Sequence, residues 1–421
     1  MSARILLVED EAITAMDLQR KLEFWGYTVV GTAHDGPSAI ELAREHEPDL
    51  ILMDIVLKGD IDGVEVAERI RDLEVPVVFI SAHSEETAMR RAGNTSPYGY
   101  LIKPFDEKEL VFTIEMAIHR HRSDRQVKKL NRALRMLSDC NQAIVRIKDA
   151  DELLNEICRI IVEVGGYRMA WIGLAEHDEE KSVHPITEYG FHEGYLDSIR
   201  VSWGDDECGA GPVGGSIRRS EPVIIRNTED DPRFTPWRDK AVEMGFLSVI
   251  GLPISVSGET IASLAVYSGE RDAFDEEEVE LLMELAGDIS FYLESKKEME
   301  RLENIREYSP VGILTLKMDE EPVIMDINME ACRMLQLDEE PLGKKLRDVI
   351  RFMKKEVSEI CNLEDGTVHD MDCVEYSDGK STRFLSIRAV RSGDTVSVFL
   401  NDITECIMTR KRLEECEGRL N

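Results

Sequence analysis

Between Arg4 and Ile102, short apolar runs alternate with amphipathic stretches. The runs Arg4–Val8, Thr28–Gly31, Leu50–Met53, Val75–Ile80 and Gly99–Ile102 are rich in Leu, Ile and Val and do not alternate strictly with polar residues. Strands of that kind are buried on both faces, as in a parallel sheet. Between the first two runs, Ala15, Leu18, Leu22 and Trp25 recur at steps of three and four, the spacing of one helix face. The repeated strand–helix pattern predicts an α/β doubly wound parallel five-stranded sheet.

The pattern then changes. Val127, Leu130, Leu134, Leu137, Asn141 and Ile144 form a heptad-like seam on a predicted helix. The seam fits two uses: a dimeric coiled coil with Asn141 setting the register, or packing on the domain that follows. From Leu153 to Phe291 the reading is α+β: a helix at Leu153–Val164, strands at Arg168–Leu174, Val223–Ile225, Ser248–Ser255 and Ile261–Ser268, and turns between the first two strands. Asp275 and Glu278 are spaced as a capping box for a closing helix that runs into the charged stretch 294–306. A second α+β region has strands at Gly312–Lys317, Val323–Ile327, Arg383–Arg388 and Thr395–Leu400, a helix near Met329 and a hairpin signal at Ser392-Gly393-Asp394. Asp402 and Glu405 are spaced to cap a last helix. The predicted order is residues 1–122, a linker helix over 123–150, α+β domains over 151–297 and 298–408, and a helix over 409–421.

Composition narrows the function. The chain has 421 residues, enough for about three domains. Lys and Arg number 51 against 84 Asp and Glu, a net charge of −33. Such a surface repels nucleic-acid phosphates and anionic lipid, so DNA binding is not expected. No apolar run is long enough to span a bilayer, and MSARILLVEDEAI does not read as a secretory signal. No membrane insertion is expected, and a cytoplasmic protein is. The 8 cysteines lack any C-x-x-C pair and read as reduced thiols.

Chemistry gathers at the predicted strand ends. The first strand runs into Glu9-Asp10, the third ends at Asp54, the fourth at Ser81-Ala82 and the fifth at Lys103-Pro104. In an open parallel sheet these C-terminal ends line one edge, where ligands bind. Carboxylates from two strands sharing that edge call for a hard cation such as Mg²⁺. Lys103 and Ser81 supply the charge and the hydrogen-bond donor that a phosphoryl group needs.

The strings ILLVEDE, LILMDIVLKGDIDG, VVFISA and YLIKPF closely resemble the receiver domain of two-component response regulators, over about Ala3 to His121. The resemblance implies that Asp54 accepts phosphate and that Glu9, Asp10, Asp54 and the backbone carbonyl of Val56 hold Mg²⁺. It implies that Ser81 and Lys103 meet the phosphoryl oxygens, that Tyr100 is the aromatic switch, and that Ala82 keeps the site open. A histidine kinase is the implied donor. The sequence departs from the family at Glu9, where Asp is commoner, and in the segment from Ile55 to Gly63, which lacks the usual Pro and carries Lys58-Gly59-Asp60. His83 falls where the family tunes hydrolysis.

The second region resembles a GAF domain through GGYRMAWIG at 165–173, Asp231-Pro232-Arg233-Phe234, Gly245-Phe246-Leu247-Ser248 and Ala273-Phe274-Asp275. The third resembles a PAS domain through Ser309-Pro310-Val311-Gly312-Ile313, Asn328 with Ala331, Asp378-Gly379 and Asp402-Ile403-Thr404-Glu405. Neither region names its ligand. Gly209-Ala210-Gly211-Pro212-Val213-Gly214 matches G-x-G-x-x-G, but acidic residues rather than a strand precede it, so it reads as a loop. Trp203, Trp237 and Tyr195 fit core packing better than a pocket. His119 and His121 fall on different helix faces, and His369 reads as a surface loop residue.

No ATP-lid glycine motif or Gly-Gly-Asp-Glu-Phe string appears, so the chain is not expected to be an enzyme beyond phosphorylation and dephosphorylation of its own receiver. The expectation is phosphorelay signalling through Asp54, coupled to GAF-like and PAS-like modules, with output by protein–protein contact and a possible homodimer through the linker helices. The alternatives are a small-molecule sensor whose ligand state modulates the receiver, and a phosphate sink for a partner kinase.

Overall fold

Strands β1 (Arg4–Val8), β2 (Thr28–Ala33), β3 (Leu50–Asp54), β4 (Val77–Ala82) and β5 (Gly99–Lys103) pair in parallel in the order β2-β1-β3-β4-β5. Successive side chains on a strand point to opposite faces, and here both faces are covered. Leu6, Ile51, Met53 and Phe79 pack with Ala39 and Ala43 of helix α2 (Gly36–His46) and Val64 and Ala67 of α3 (Gly63–Arg69). Ile5, Leu7, Leu52, Val78 and Ile80 pack with Leu18 and Leu22 of α1 (Ala12–Phe24) and Leu110 and Ile114 of α4 (Glu107–Arg146). Double coverage is why these strands read as apolar runs.

The structure is a computed structural model that describes residues 2–82, 97–190, 194–318, 321–337, 341–350, 354–377 and 382–418. His83 and Asp378-Gly379 lie outside the described residues. The fold divides into two compact units, residues 1–255 with 260–287, and residues 256–259 with 288–421.

Helix α4 is continuous over 40 residues, with no break near residue 122. Asp106 caps its start by accepting from the Glu109 N–H at 2.8 Å. The heptad seam divides along it. Val127, Leu130 and Leu134 are exposed, whereas Ala133, Met136, Leu137, Cys140 and Ala143 are buried and the helix packs on α5 (Ala150–Glu163). Its second half is therefore a packing face for the module that follows.

That module holds a sheet of β6 (Met169–Ala175), β7 (Val183–Gly190), β8 (Val223–Ile225), β9 (Ser248–Val256) and β10 (Glu259–Ser268) in the order β7-β6-β10-β9-β8. The pairs β7–β6, β6–β10 and β9–β8 are antiparallel. Strand β7 corrects the expectation of turns after β6. It is an edge strand with Pro185 inside it, opposite a bulge at Ile172/Gly173, and these features hide a strand in sequence. Tyr195, Trp237, Trp171, Phe234, Phe246 and Tyr267 form the aromatic core, so Tyr195 and Trp237 pack as expected; Trp203 is only partly buried against it.

The G-x-G-x-x-G string is only partly a loop, because Pro212 opens helix α6 (Pro212–Arg219). A Cβ at Gly209 would stand 2.0 Å from the Gly204 carbonyl oxygen, and one at Gly214 2.1 Å from that of Ser202. These glycines allow close backbone packing. After the short helix α7 (Arg238–Glu243), helix α8 runs from Glu276 to Glu307. Asp275 accepts from the Glu278 N–H at 2.9 Å, as half a capping box does. The Glu278 carboxylate turns inward instead, onto Tyr167 and Lys129.

The last sheet is antiparallel, built from β11 (Gly312–Lys317), β12 (Val323–Ile327), β13 (Val368–Ser377), β14 (Thr382–Ser392) and β15 (Thr395–Asp402) in the order β12-β11-β15-β14-β13. Helices α9 (Met329–Leu335), α10 (Leu346–Val349) and α11 (Lys354–Cys361) supply Met334, Leu335, Leu346, Val357 and Ile360 to its core, and α12 (Thr404–Gly418) follows β15. Asn328 caps α9 through the Ala331 N–H at 2.9 Å. His369 lies on β13 and not in a loop, 3.2 Å from Glu359. No described helix is long and apolar enough to cross a membrane.

Candidate functional site

Parallel pairing puts the C-terminal ends of β1, β3, β4 and β5 on one edge, and the acids predicted to meet there do so. One carboxylate oxygen from each of Glu9, Asp10 and Asp54 falls within a group spanning 4.8 Å. Glu9 is 1% exposed and Asp54 7%, while Asp10 is partly open to solvent.

Each acid is held by local structure. The Glu9 N–H donates to the Ala33 carbonyl at 3.0 Å, extending the β1–β2 ladder past its last apolar residue. Asp54 ends β3, and its Oδ1 accepts from the Val56 N–H at 3.0 Å. Lys103, at the end of β5, places Nζ 2.6 Å from Asp54 Oδ2 and 2.7 Å from Glu9 Oε2. Buried carboxylates this close repel one another, and the ammonium between them offsets that repulsion. Burial pushes the Glu9 carboxyl above its ordinary range; the Lys103 hydrogen bond pulls it back and the Asp54 charge adds to the rise. Burial also opposes the charge on Lys103, but hydrogen bonds to Asp54 and Glu9 outweigh it and hold the ammonium above its ordinary value.

Ser81 is buried at the end of β4, in the strand beside Asp54, and its hydroxyl donates to the Ala82 carbonyl at 3.0 Å. Tyr100 lies further back on β5. Its ring packs 6.0 Å from Phe79, and its buried hydroxyl has no hydrogen-bond partner among the described residues. Burial raises the phenol. Val56 enters the site through its N–H, and its side chain is half exposed.

Two further residues complete the edge. Lys58 reaches Asp10 from the loop after β3, with Nζ 3.4 Å from Oδ2 and 3.1 Å from the backbone carbonyl oxygen. Gly63 opens α3 directly beneath Asp54, where a Cβ would stand 2.1 Å from the Asp54 carbonyl oxygen. The sequence shows Lys58 only as an unusual residue in its loop. It offers one cue for Gly63, its place just after the helix-capping Asp62.

Among the described residues the donor set suits a hard divalent cation: three carboxylates, one open to water, and no soft sulfur or imidazole ligand. A nucleophilic carboxylate beside a cation-ready acid pair and a fixed ammonium is suited to phosphoryl transfer.

Comparison with known proteins divides the chain. Residues 5–115 match the response regulator receiver domain and residues 148–294 match the GAF domain. The chain is 40% identical over 120 residues to the transcriptional regulatory protein PdtaR of Mycobacterium tuberculosis, covering 28% of this chain and 58% of that protein. It is 35% identical over 136 residues to the probable transcriptional regulator ycf29 of Porphyra purpurea, covering 31% of this chain and 64% of that protein. It thus spans less than two thirds of either relative. Among solved structures, the signal receiver domain of a modulated diguanylate cyclase from Desulfovibrio desulfuricans G20 is 37% identical, with a TM-score of 0.29, over 30% of this chain and 99% of that one. The chain carries a response regulator receiver domain followed by a GAF domain.

Proposed function

We propose that this protein works in a phosphorelay, with Asp54 accepting a phosphoryl group from a histidine kinase. The observation that carries this reading is the pair of contacts on Asp54: Lys103 holds Oδ2 and the Val56 N–H holds Oδ1. A carboxylate fixed at both oxygens is oriented for in-line attack. A carboxylate oxygen forms the new P–O bond, the P–N bond to the donor imidazole breaks, and that nitrogen keeps the bonding electron pair and is protonated. Lys103 offers charge to the phosphoryl oxygens, and Ser81 offers a hydroxyl from the neighbouring strand.

Mg²⁺ would be held by Glu9, Asp10, Asp54 and the Val56 carbonyl. When bound, it neutralises charge on the transferring group. The new charge on Asp54 draws Ser81 and Tyr100 toward it, and the product is a shift in conformational population.

The third module is read as PAS-like. A five-stranded antiparallel sheet in the order β12-β11-β15-β14-β13, covered by short helices after β12, supports that reading. Output passes by protein contact, including a homodimer seam at the exposed Val127, Leu130 and Leu134. The charge of −33 argues against DNA as the target.

Incubation with acetyl phosphate and Mg²⁺ tests the central claim. Wild-type protein is expected to label and Asp54→Asn to stay unlabelled. Equal labelling of the two would refute the assignment.

A further inference from the structure

Lys58 lies in the loop between β3 and α3. The backbone of that loop is anchored, because Lys58 pairs with Asp35 in an isolated parallel bridge. Gly59 follows with φ of +111°, a conformation that favours glycine and turns the chain away. The Lys58 side chain is thereby aimed at the acid edge and meets both the carboxylate and the backbone carbonyl of Asp10.

The cluster therefore has an ammonium on every acid. Lys103 serves Glu9 and Asp54 from inside, with its side chain 29% exposed. Lys58 serves Asp10 from outside, with its side chain 74% exposed. The two lysines differ in what they can do. Lys103 is fixed by two short contacts, whereas Lys58 holds one longer ion pair and one hydrogen bond to a backbone carbonyl, both in solvent, and can leave at small cost. Asp10 is also the acid that opens to water, so a cation entering from solvent meets Lys58 first.

We propose that Lys58 is a tethered counter-cation that competes with a divalent metal ion for Asp10, and so sets how much Mg²⁺ the site requires before Asp54 can be phosphorylated. This rests on the reading of Asp54 as a metal-dependent phosphoacceptor. Lys58 is a positioning residue: it acts on the metal through Asp10. Like charges repel, so its ammonium must swing out when the metal enters. The weakness of an exposed ion pair limits the effect to about two- to fivefold in metal affinity.

The test is Mg²⁺ binding to the full chain by titration calorimetry, repeated with Mn²⁺ by electron paramagnetic resonance. Both read the metal without relying on phosphorylation. Lys58→Met is expected to bind Mg²⁺ about two- to fivefold more tightly than wild type. Lys58→Arg, which keeps the charge, should bind close to wild type. Lys21→Met removes the same charge from α1 and should leave affinity unchanged. Labelling by acetyl phosphate should rise in Lys58→Met at limiting Mg²⁺ and match wild type at saturation. Unchanged or weaker binding in Lys58→Met would overturn the proposal while leaving the phosphoacceptor reading intact. An equal gain in Lys21→Met would also overturn it, by showing a net-charge effect. If wild type binds neither metal, the phosphoacceptor reading fails and the role of Lys58 falls with it.

Discussion

The Tyr167 hydroxyl donates to the Glu278 carboxylate at 2.5 Å, and both side chains are buried. The contact joins the segment just before β6 to the first turn of α8, and α4 closes on it. Lys129 of α4 pairs with Glu278 and lies 2.8 Å from Asp275, while Arg132 lies 3.7 Å from Glu278 and over the Tyr167 ring. Phe274 stacks on that ring at 5.8 Å. The helix that ends the receiver is therefore fastened to the GAF domain through a buried carboxylate.

A buried charge that loses its counter-ion is costly. Lys129→Met should destabilise the chain by about 3 kcal/mol, and Tyr167→Phe by about 1–3 kcal/mol. The two losses should not add, because both fall on Glu278. Urea unfolding of the single and double variants measures this. Full additivity would mean that the three side chains do not act as one network.

Lys103→Met should depend on pH in a definite direction. Burial already holds the Glu9 carboxyl above its ordinary range. The folded chain thus keeps that proton at pH values where the unfolded chain has lost it. The stability this group contributes is greatest below the ordinary carboxylate range and is lost as pH rises through the raised value. Removing Lys103 widens that window. Compared with wild type in metal-free buffer, Lys103→Met should be little destabilised near about pH 4.5 and destabilised by about 3 kcal/mol near about pH 8. Saturating Mg²⁺ should restore part of the loss, since a ligand of the folded state stabilises it. Urea midpoints across that range test the sign, and a loss that shrank with rising pH would contradict it.

Gly63→Ala should disturb Asp54 without touching its side chain. The added methyl would meet the Asp54 carbonyl oxygen at 2.1 Å and Met53 Cγ at 2.9 Å. Either α3 or the end of β3 must move, at about 1–3 kcal/mol. Acetyl phosphate labelling should fall together with the melting temperature. A variant with wild-type melting and labelling would show that α3 is free to shift.

Much of the receiver was legible because two-sided burial writes each parallel strand as an apolar run, with its chemistry at the following residues. Arg4–Val8, with Glu9 and Asp10 after it, is such a case. The strands that escaped prediction, β7 and β13, are edge strands. β7 carries Pro185 opposite a bulge, and β13 has its own bulge between Met371 and Val374, with Cys373 at φ of +57°. An edge strand has one neighbour and often one wet face, and a bulge resets the period of two. The alternation that would mark it is then lost.

Residue order and apolar periodicity alone determined that Glu9, Asp10, Asp54, Ser81 and Lys103 belong to one edge, because parallel strands end on the same side of a sheet. Which charge meets which was decided by tertiary structure. Lys58 on Asp10 spans 48 residues, Lys103 on Glu9 spans 94, and Tyr167 on Glu278 spans 111. An ion pair forms where two flexible side chains reach a common point, and that depends on loop path and burial. A repeating pattern of apolar positions encodes which face a residue takes, and it leaves the choice of partner across the fold open.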